Sequence, residues 1–417
     1  MRMQLGYGAG KVEVELPDAQ VLAVLKANSC AVQAAGPQLV RQALERPIGD
    51  VRLRDKVRPG QKVAIVTSDI TRPCPSHLIL PCILEELAAA GVRDGDITIV
   101  FALGSHRRHT QAEMRRLVSD AVFNRIRCLD LDTNNCVPMG ITSRGTPVAV
   151  FRPVAEADFR ICVGNLEYHY FAGYSGGAKA IMPGVCTRAA IQTNHSRMVL
   201  PAACAGRLEG NPVREDIDEA AQICRVDYLV NVVLDDHREI VCAVCGDVYQ
   251  AHRAGCRFLD TLYKVRIPRR ADIVLVTPGG WPKDANMYQA QKALDNAAHA
   301  VKDGGTIIWL AACTEGLGSD VFSAWMTGHR TPGDMIRHIR VDFQLGGHKA
   351  AAIAMVLQRA HVVLVSELED DFVRSIHLTP ASDIRSALDA ALARYGSRAD
   401  IIVMPHGGST LPVTEPR

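Results

Sequence analysis

The sequence predicts an α/β protein: two α/β domains with a cleft between them, the C-terminal one a doubly wound, mostly parallel sheet. Three observations lead there. Short apolar runs rich in Val and Ile alternate along the chain with longer segments of helical period. At 417 residues the chain exceeds what one hydrophobic core usually spans, so two domains are expected. The pattern also restarts after "RIPRRAD", where Pro268 and its neighbouring arginines interrupt a helix.

In the first domain, residues 1–267, "KVAIVTSD", "DITIVFALG" and "DFRICVGN" read as buried strands. "HLILPCILEELAAAGV" lies between the first two with apolar residues at helical spacing and a terminal glycine. "QAEMRRLVSDAVFNRI" reads as one further helix. "YLVNVVLD" and "EIVCAVCGD" read as a hairpin turning at "DDHRE", and "VYQAHRAGCRFLDTLY" as a long closing helix. In the second domain, residues 268–417, "DIVLVTPGG", "GTIIWLAA", "HVVLVS" and "DIIVMPHGG" are strands of a doubly wound parallel sheet. They are separated by helices such as "NMYQAQKALDNAAHAV" and "HKAAAIAMVLQRA". The last ~20 residues can pack back on the first domain.

Composition narrows the function. Hydrophobic residues make up 48% and charged ones 22%, and 47 basic against 45 acidic side chains leave a formal charge of +2. That balance argues against nucleic acid or a membrane surface as a partner. Thirteen scattered cysteines read as reduced thiols of a cytoplasmic protein. Cys242 and Cys245 form a C-x-x-C with no second pair at zinc-ribbon spacing, so they read as buried thiols. The opening "MRMQLGYGAGKVEVELPD" lacks the apolar core of a signal peptide, and no apolar run approaches the ~20 residues of a membrane helix.

Ligands of α/β sheets bind beyond the carboxyl ends of strands. Here those ends open onto "SDITRP", "GSHRRH", "TPGGWPKD" and "CTEGLGS". Asp69 is either a helix N-cap or a hydroxyl acceptor, and Arg72 either a solvated arginine or an anion fork. His106 leaves a strand through glycine as a candidate base, whereas His109 reads as ordinary. In "GYSGGAK" the amides around Ser175, Gly176 and Gly177 could cradle a phosphate with Lys179 as point charge, or simply turn the chain. The spacing is not that of a Walker A loop. His195, in "QTNHSRM", reads by default as a satisfied helix residue. "DANMYQAQKAL" reads as a helix N-capped at Asp284, with Tyr288 and Lys292 on one face and Gln289 bordering them. Those three suit either a small carboxylate or a solvated face. His348 and His406 carry no assigned role.

Taken in order, "SDITRPCP", "ALGSHR", "YHYFAGYSGGAKAIMPGV", "TNHSRM", "PGGWPKDANMYQAQKAL" and "EGLGS" resemble one family along nearly the whole chain. It is that of the nickel-pincer-nucleotide lactate racemases and their relatives on other 2-hydroxy acids. The resemblance implies a nickel-dependent racemase or epimerase that inverts C2 by reversible hydride transfer to a covalently tethered cofactor. That cofactor is the pyridinium-3,5-bisthiocarboxylic acid mononucleotide of nickel, made by dedicated biosynthetic enzymes. By position, Lys179 carries the tether, His195 binds nickel, and His106 and His169 form the acid/base pair. Asp69 and the Ser175, Gly176 and Gly177 loop contact the cofactor, while Arg72, Tyr288, Gln289 and Lys292 meet the substrate. One departure concerns the pocket beside His169: aromatics flank it in "LEYHYFAG", where a proline-histidine pair is common in lactate-type members. Two other readings compete. One is a nucleotide- or zinc-dependent enzyme on small anions; the other is a non-catalytic two-domain binder of small carboxylates.

Overall fold

The computed structural model describes residues 1–28 and 36–414. The chain divides into two compact units, Cys30–Thr261 and Met1–Ser29 with Leu262–Arg417. The N-terminal segment, expected in the first domain, thus clusters with the second half of the chain.

The unit Cys30–Thr261 is built on a six-stranded sheet. Its order is Ile240–Gly246, Tyr228–Leu234, Phe159–Leu166, Val63–Ser68, Ile97–Ala102 and Arg127–Asp130. All neighbours run parallel except the first pair, which is the hairpin read from the sequence. Every residue of Phe159–Leu166 and of Tyr228–Leu234 is buried, as expected for strands covered on both faces. Register matters for function. Ser68 stands opposite Ala102, so Val63–Ser68 and Ile97–Ala102 end level and release their loops side by side.

Two details differ from the sequence reading. The single helix expected over "QAEMRRLVSDAVFNRI" is two helices, Gln111–Val118 and Asp120–Arg125. Ser119 between them has φ 78°, and its hydroxyl caps the second helix by accepting from the Val122 amide. A left-handed residue ends one helix while its side chain starts the next. The hairpin Cys136–Ile141 and Pro147–Phe151 was not foreseen. As for the C-x-x-C, Cys245 is a buried thiol and Cys242 is half-buried, both on the strand Ile240–Gly246. Cys30 lies outside the described residues.

The other unit holds a six-stranded, wholly parallel sheet ordered Thr379–Ala381, His361–Val365, Val301–Leu310, Ala271–Val276, Ile401–Met404 and Val21–Val24. The chain winds outward in one direction from Ala271–Val276 and then returns to its other side, the doubly wound pattern. The hairpin Arg2–Tyr7 and Gly10–Glu15 belongs here because Leu5, Val14 and Leu16 join the core of Ile273, Leu275, Ile308 and Val403. Each such apolar side chain contributes about 1.5–3 kcal/mol on burial. Lys264–Ile267 pairs with Leu411–Thr414, so the chain's closing strand also stays in this unit. Among the described residues no helix is long and apolar enough to cross a membrane.

Candidate active site

The level strand ends bring two sequence-distant side chains together. Asp69, directly after Val63–Ser68, is buried and lies 2.6 Å from His106 Nδ1 through Oδ2. Thr71 Oγ1 donates to Asp69 Oδ1 at 2.9 Å and stands 3.3 Å from His106 Nδ1. Burial pushes the Asp69 carboxyl up, but His106, then Thr71 and Arg72, outweigh it and hold the group below the usual carboxylate range. An ionised carboxylate only accepts, so His106 carries its hydrogen on Nδ1 and presents a lone pair at Nε2. Asp69, expected from the resemblance to contact a cofactor, is here bonded to the His106 ring. His109 is structural: the Ile70 amide donates to its Nε2 at 3.1 Å, and its Nδ1 meets Asp130 Oδ1 at 2.7 Å. That clamp fixes the loop bearing Asp69.

The glycine-rich loop follows Phe159–Leu166 and leads into a 3₁₀ turn, Gly177–Ala180, that carries Lys179. Ser175 and the Gly177 amide bond within the loop and its supports. Ser175 Oγ donates to Asn165 O and accepts from the Glu167 amide, both at 2.8 Å. The Gly177 amide donates to Asn231 Oδ1 at 2.7 Å, and the Ser175 amide to Glu167 O at 2.8 Å. The glycines answer to crowding and backbone. Gly176 has φ 68° and a Cβ there would lie 2.5 Å from Asn231 Oδ1; Gly177 has φ 59° and its Cβ would lie 2.6 Å from the His252 ring.

Lys179, His169 and His195 gather around Phe171. The Phe171 ring packs edge-on against His169 at 4.5 Å and against His195 at 5.0 Å, and Lys179 Nζ lies 6.0 Å from its centroid. Burial, then the charges of Arg214 and Arg72, push the Lys179 amine well below its ordinary value, against a small opposing pull from Glu167. His169 is pushed well below the ordinary imidazole value, first by burial and then by Lys179, Arg72, His195 and Arg214. The Ala172 amide donates to His169 Nδ1 at 3.3 Å, which leaves the neutral ring its hydrogen on Nε2. Tyr170 stacks on the same ring at 5.3 Å. Arg72, half-buried, approaches Glu167 at 4.0 Å and acts electrostatically on Asp69, His169 and Lys179 alike.

His195 is the buried last residue of the helix Arg188–His195, and its Nδ1 lies 2.8 Å from Asn194 Oδ1. Among the described residues no three His, Cys, Asp or Glu side chains gather as a metal cage. A metal at His195 would therefore take its remaining donors from another source.

Tyr288, Gln289 and Lys292 belong to the other unit, on the helix Met287–Ala297. Its N-cap is Asn286, not Asp284 as the sequence suggested: Asn286 Oδ1 accepts from the Gln289 amide at 3.1 Å. The Asp284 carboxylate is drawn instead to the Gly8 amide at 2.7 Å. Gln289 and Lys292 are exposed, whereas Tyr288 is half-buried against Phe322 and under Lys349. His348 is buried and accepts from the Gly346 amide. Sequence reasoning missed Phe171, Thr71 and Asn194; Phe171 stood in a quoted motif, but nothing in a sequence marks a ring as the shared neighbour of three polar groups.

Family models described as the Lactate racemase N-terminal domain and the Lactate racemase C-terminal domain match residues 7–206 and 267–411. The chain is 32% identical to the lactate racemase of Thermoanaerobacterium thermosaccharolyticum over 421 residues, covering 98% of each. It is 33% identical to that of Lactiplantibacillus plantarum over 380 residues, covering 89% of each. The solved lactate racemase apoprotein of T. thermosaccharolyticum superposes with a TM-score of 0.90, covering 99% of this chain and 100% of that one. A Thermotoga maritima protein, 17% identical, shares the fold with a TM-score of 0.66 over 91% of this chain and 98% of its own.

Proposed function

The chain belongs to the lactate racemase family and is an isomerase, and from that premise we propose that it inverts C2 of lactate or a closely related 2-hydroxy acid. One observation carries the reading. The unit Cys30–Thr261 holds two histidines in different surroundings, His106 bonded through Nδ1 to the Asp69 carboxylate and buried His169 accepting at Nδ1 from the Ala172 amide. Enantiomers present their hydroxyl groups on opposite sides, so inversion needs one imidazole for each.

The residues fit the family's tethered nickel-pincer nucleotide. Lys179 offers an amine held toward its neutral, nucleophilic form, and His195, its Nδ1 committed to Asn194, offers an Nε2 lone pair to nickel. When bound, that group supplies the acceptor for the hydride at C2. His106 Nε2 takes the hydroxyl proton, and the Asp69 carboxylate at 2.6 Å stabilises the imidazolium that results. For the opposite enantiomer His169 plays the matching part, taking the hydroxyl proton as a neutral base when that enantiomer is consumed and returning one as imidazolium when it is formed, so in each direction one ring starts neutral and the other protonated. Each such proton transfer is worth about 10²–10⁴-fold. Arg72, Tyr288, Gln289 and Lys292 are the proposed carboxylate and substrate contacts. Ser175, Gly176 and Gly177 shape the backbone that presents Lys179 to the cofactor. The partners are a small hydroxy acid and the enzymes that make the cofactor.

The test is a chiral assay on a panel of 2-hydroxy acids, with protein produced alongside the cofactor-biosynthesis enzymes. Intact-mass analysis of the same sample reads the adduct on Lys179. Both enantiomers of one acid should converge on the same mixture, and only for adduct-bearing protein. Racemisation by unmodified chain, or a fully loaded protein inert on every acid, would refute the reading.

A further inference from the structure

We propose that Asn194 and Asp216 form a buried relay that fixes the His195 ring for metal binding by holding its hydrogen on Nδ1, which leaves the ring's lone pair on Nε2. This rests on the reading of His195 as nickel ligand. Asp216 lies on the helix Pro212–Cys224 and has no exposed surface. Four donors converge on it. Thr142 Oγ1 at 2.5 Å and Thr146 Oγ1 at 2.7 Å come from the turn of the unforeseen hairpin, Asn194 Nδ2 at 2.7 Å and Arg197 at 3.1 Å from the His195 segment.

The assignment follows by elimination. The Asn194 amide group has two hydrogens and one acceptor oxygen. One hydrogen goes to Asp216 Oδ2 and the other to Val213 O at 3.1 Å. Flipping the amide would set its oxygen against a carboxylate and a carbonyl, neither of which can donate. Oδ1 therefore faces His195 Nδ1 and can only accept. Asn194 has no exposed surface, so water cannot substitute for these partners.

The helix Pro212–Cys224 holds Asn194 through both of its amide hydrogens, and Asn194 holds the ring. Phe171, edge-on at 5.0 Å, backs the imidazole sterically. Asn194 and Asp216 are thus positioning residues acting through His195. Such outer partners of a ligating histidine typically change metal affinity about 10–100-fold when removed.

The test uses the full chain with ¹⁵N-labelled histidine. Before cofactor loading, long-range ¹H–¹⁵N spectra of wild type should show His195 as the Nδ1–H tautomer, and Asn194→Ala should lose that preference. After loading, Asn194→Ala should release nickel to a chelator about 10–100-fold faster than wild type. An Nε2–H tautomer in wild type would overturn the proposal, and that measurement does not depend on any variant folding. So would Asn194→Ala retaining wild-type nickel release while His195→Ala loses the metal. Nickel retained by His195→Ala would instead refute the metal reading itself, whatever the tautomer.

Discussion

Asp69→Asn separates two roles for a residue that touches His106 and was expected to touch the cofactor. The substitution keeps size and replaces a buried carboxylate by a neutral amide. His106 Nδ1 at 2.6 Å and Thr71 Oγ1 at 2.9 Å both lose a charged acceptor. A hydrogen bond to a charged group is worth about 1.5–3 kcal/mol, and 1.4 kcal/mol is tenfold, so kcat should fall about 10- to 150-fold. The loss deepens if the amide turns its NH₂ toward His106, because the ring must then move its hydrogen to Nε2 and present the wrong nitrogen. The analogous change in a serine-protease triad costs about 10⁴-fold. The assay is initial racemisation from each enantiomer of the best acid, normalised to adduct-bearing protein by intact mass. Adduct formation and nickel content should match wild type. Cofactor loading that collapses while kcat per loaded site stays within threefold or so of wild type would place Asp69 on the cofactor and refute the orienting role.

Three further outcomes follow from the same geometry. Gly177→Ala places a methyl 2.6 Å from the His252 ring at φ 59°. That ring is pinned by Ser175 O and Arg253, so backbone strain plus overlap should cost about 2–5 kcal/mol in urea unfolding. An unchanged midpoint would mean the loop relaxes. The cofactor-free protein should lose stability on acidification through His169. Its folded pKa lies well below the unfolded value, so below about pH 6.5 the unfolded chain binds the extra proton, at up to about 1.4 kcal/mol per pH unit. His169→Asn should lower that slope, part of which buried His252 and His299 share, by up to about 1.4 kcal/mol per pH unit between about pH 6.5 and 4.5; an unchanged slope would show the ring charges readily in the fold. Arg72→Gln removes a positive charge that depresses Lys179, so the amine should protonate more readily and react more slowly with an acylating probe near neutral pH. Faster labelling would contradict the electrostatic account.

Much of this was legible because strand ends announce themselves. A run such as "KVAIVTSD" passes from fully buried apolar residues into polar ones at one step, and that step is where ligands sit. The elements bearing Asp69, His106, His169 and Lys179 could be placed from that signal alone. Their pairings could not. Asp69 and His106 are 37 residues apart, and only the level register of two parallel strands makes them partners. The glycine loop is legible in a different way. Its composition fits an anion cradle, yet Ser175 and Gly177 spend their donors on Asn165, Glu167 and Asn231, and the glycines serve crowding. Composition records that close backbone approach is needed, but not what approaches. The N-terminal hairpin shows the same limit over longer range: its apolar residues find their core on strands about 260 to 400 residues later. His195 marks the far end of this scale. Read alone it was a satisfied helix histidine, and it is satisfied, at Nδ1 by its own neighbour. On the proposed reading that bond leaves the lone pair on the other nitrogen, so the ordinary and the proposed readings of this residue describe two sides of one ring.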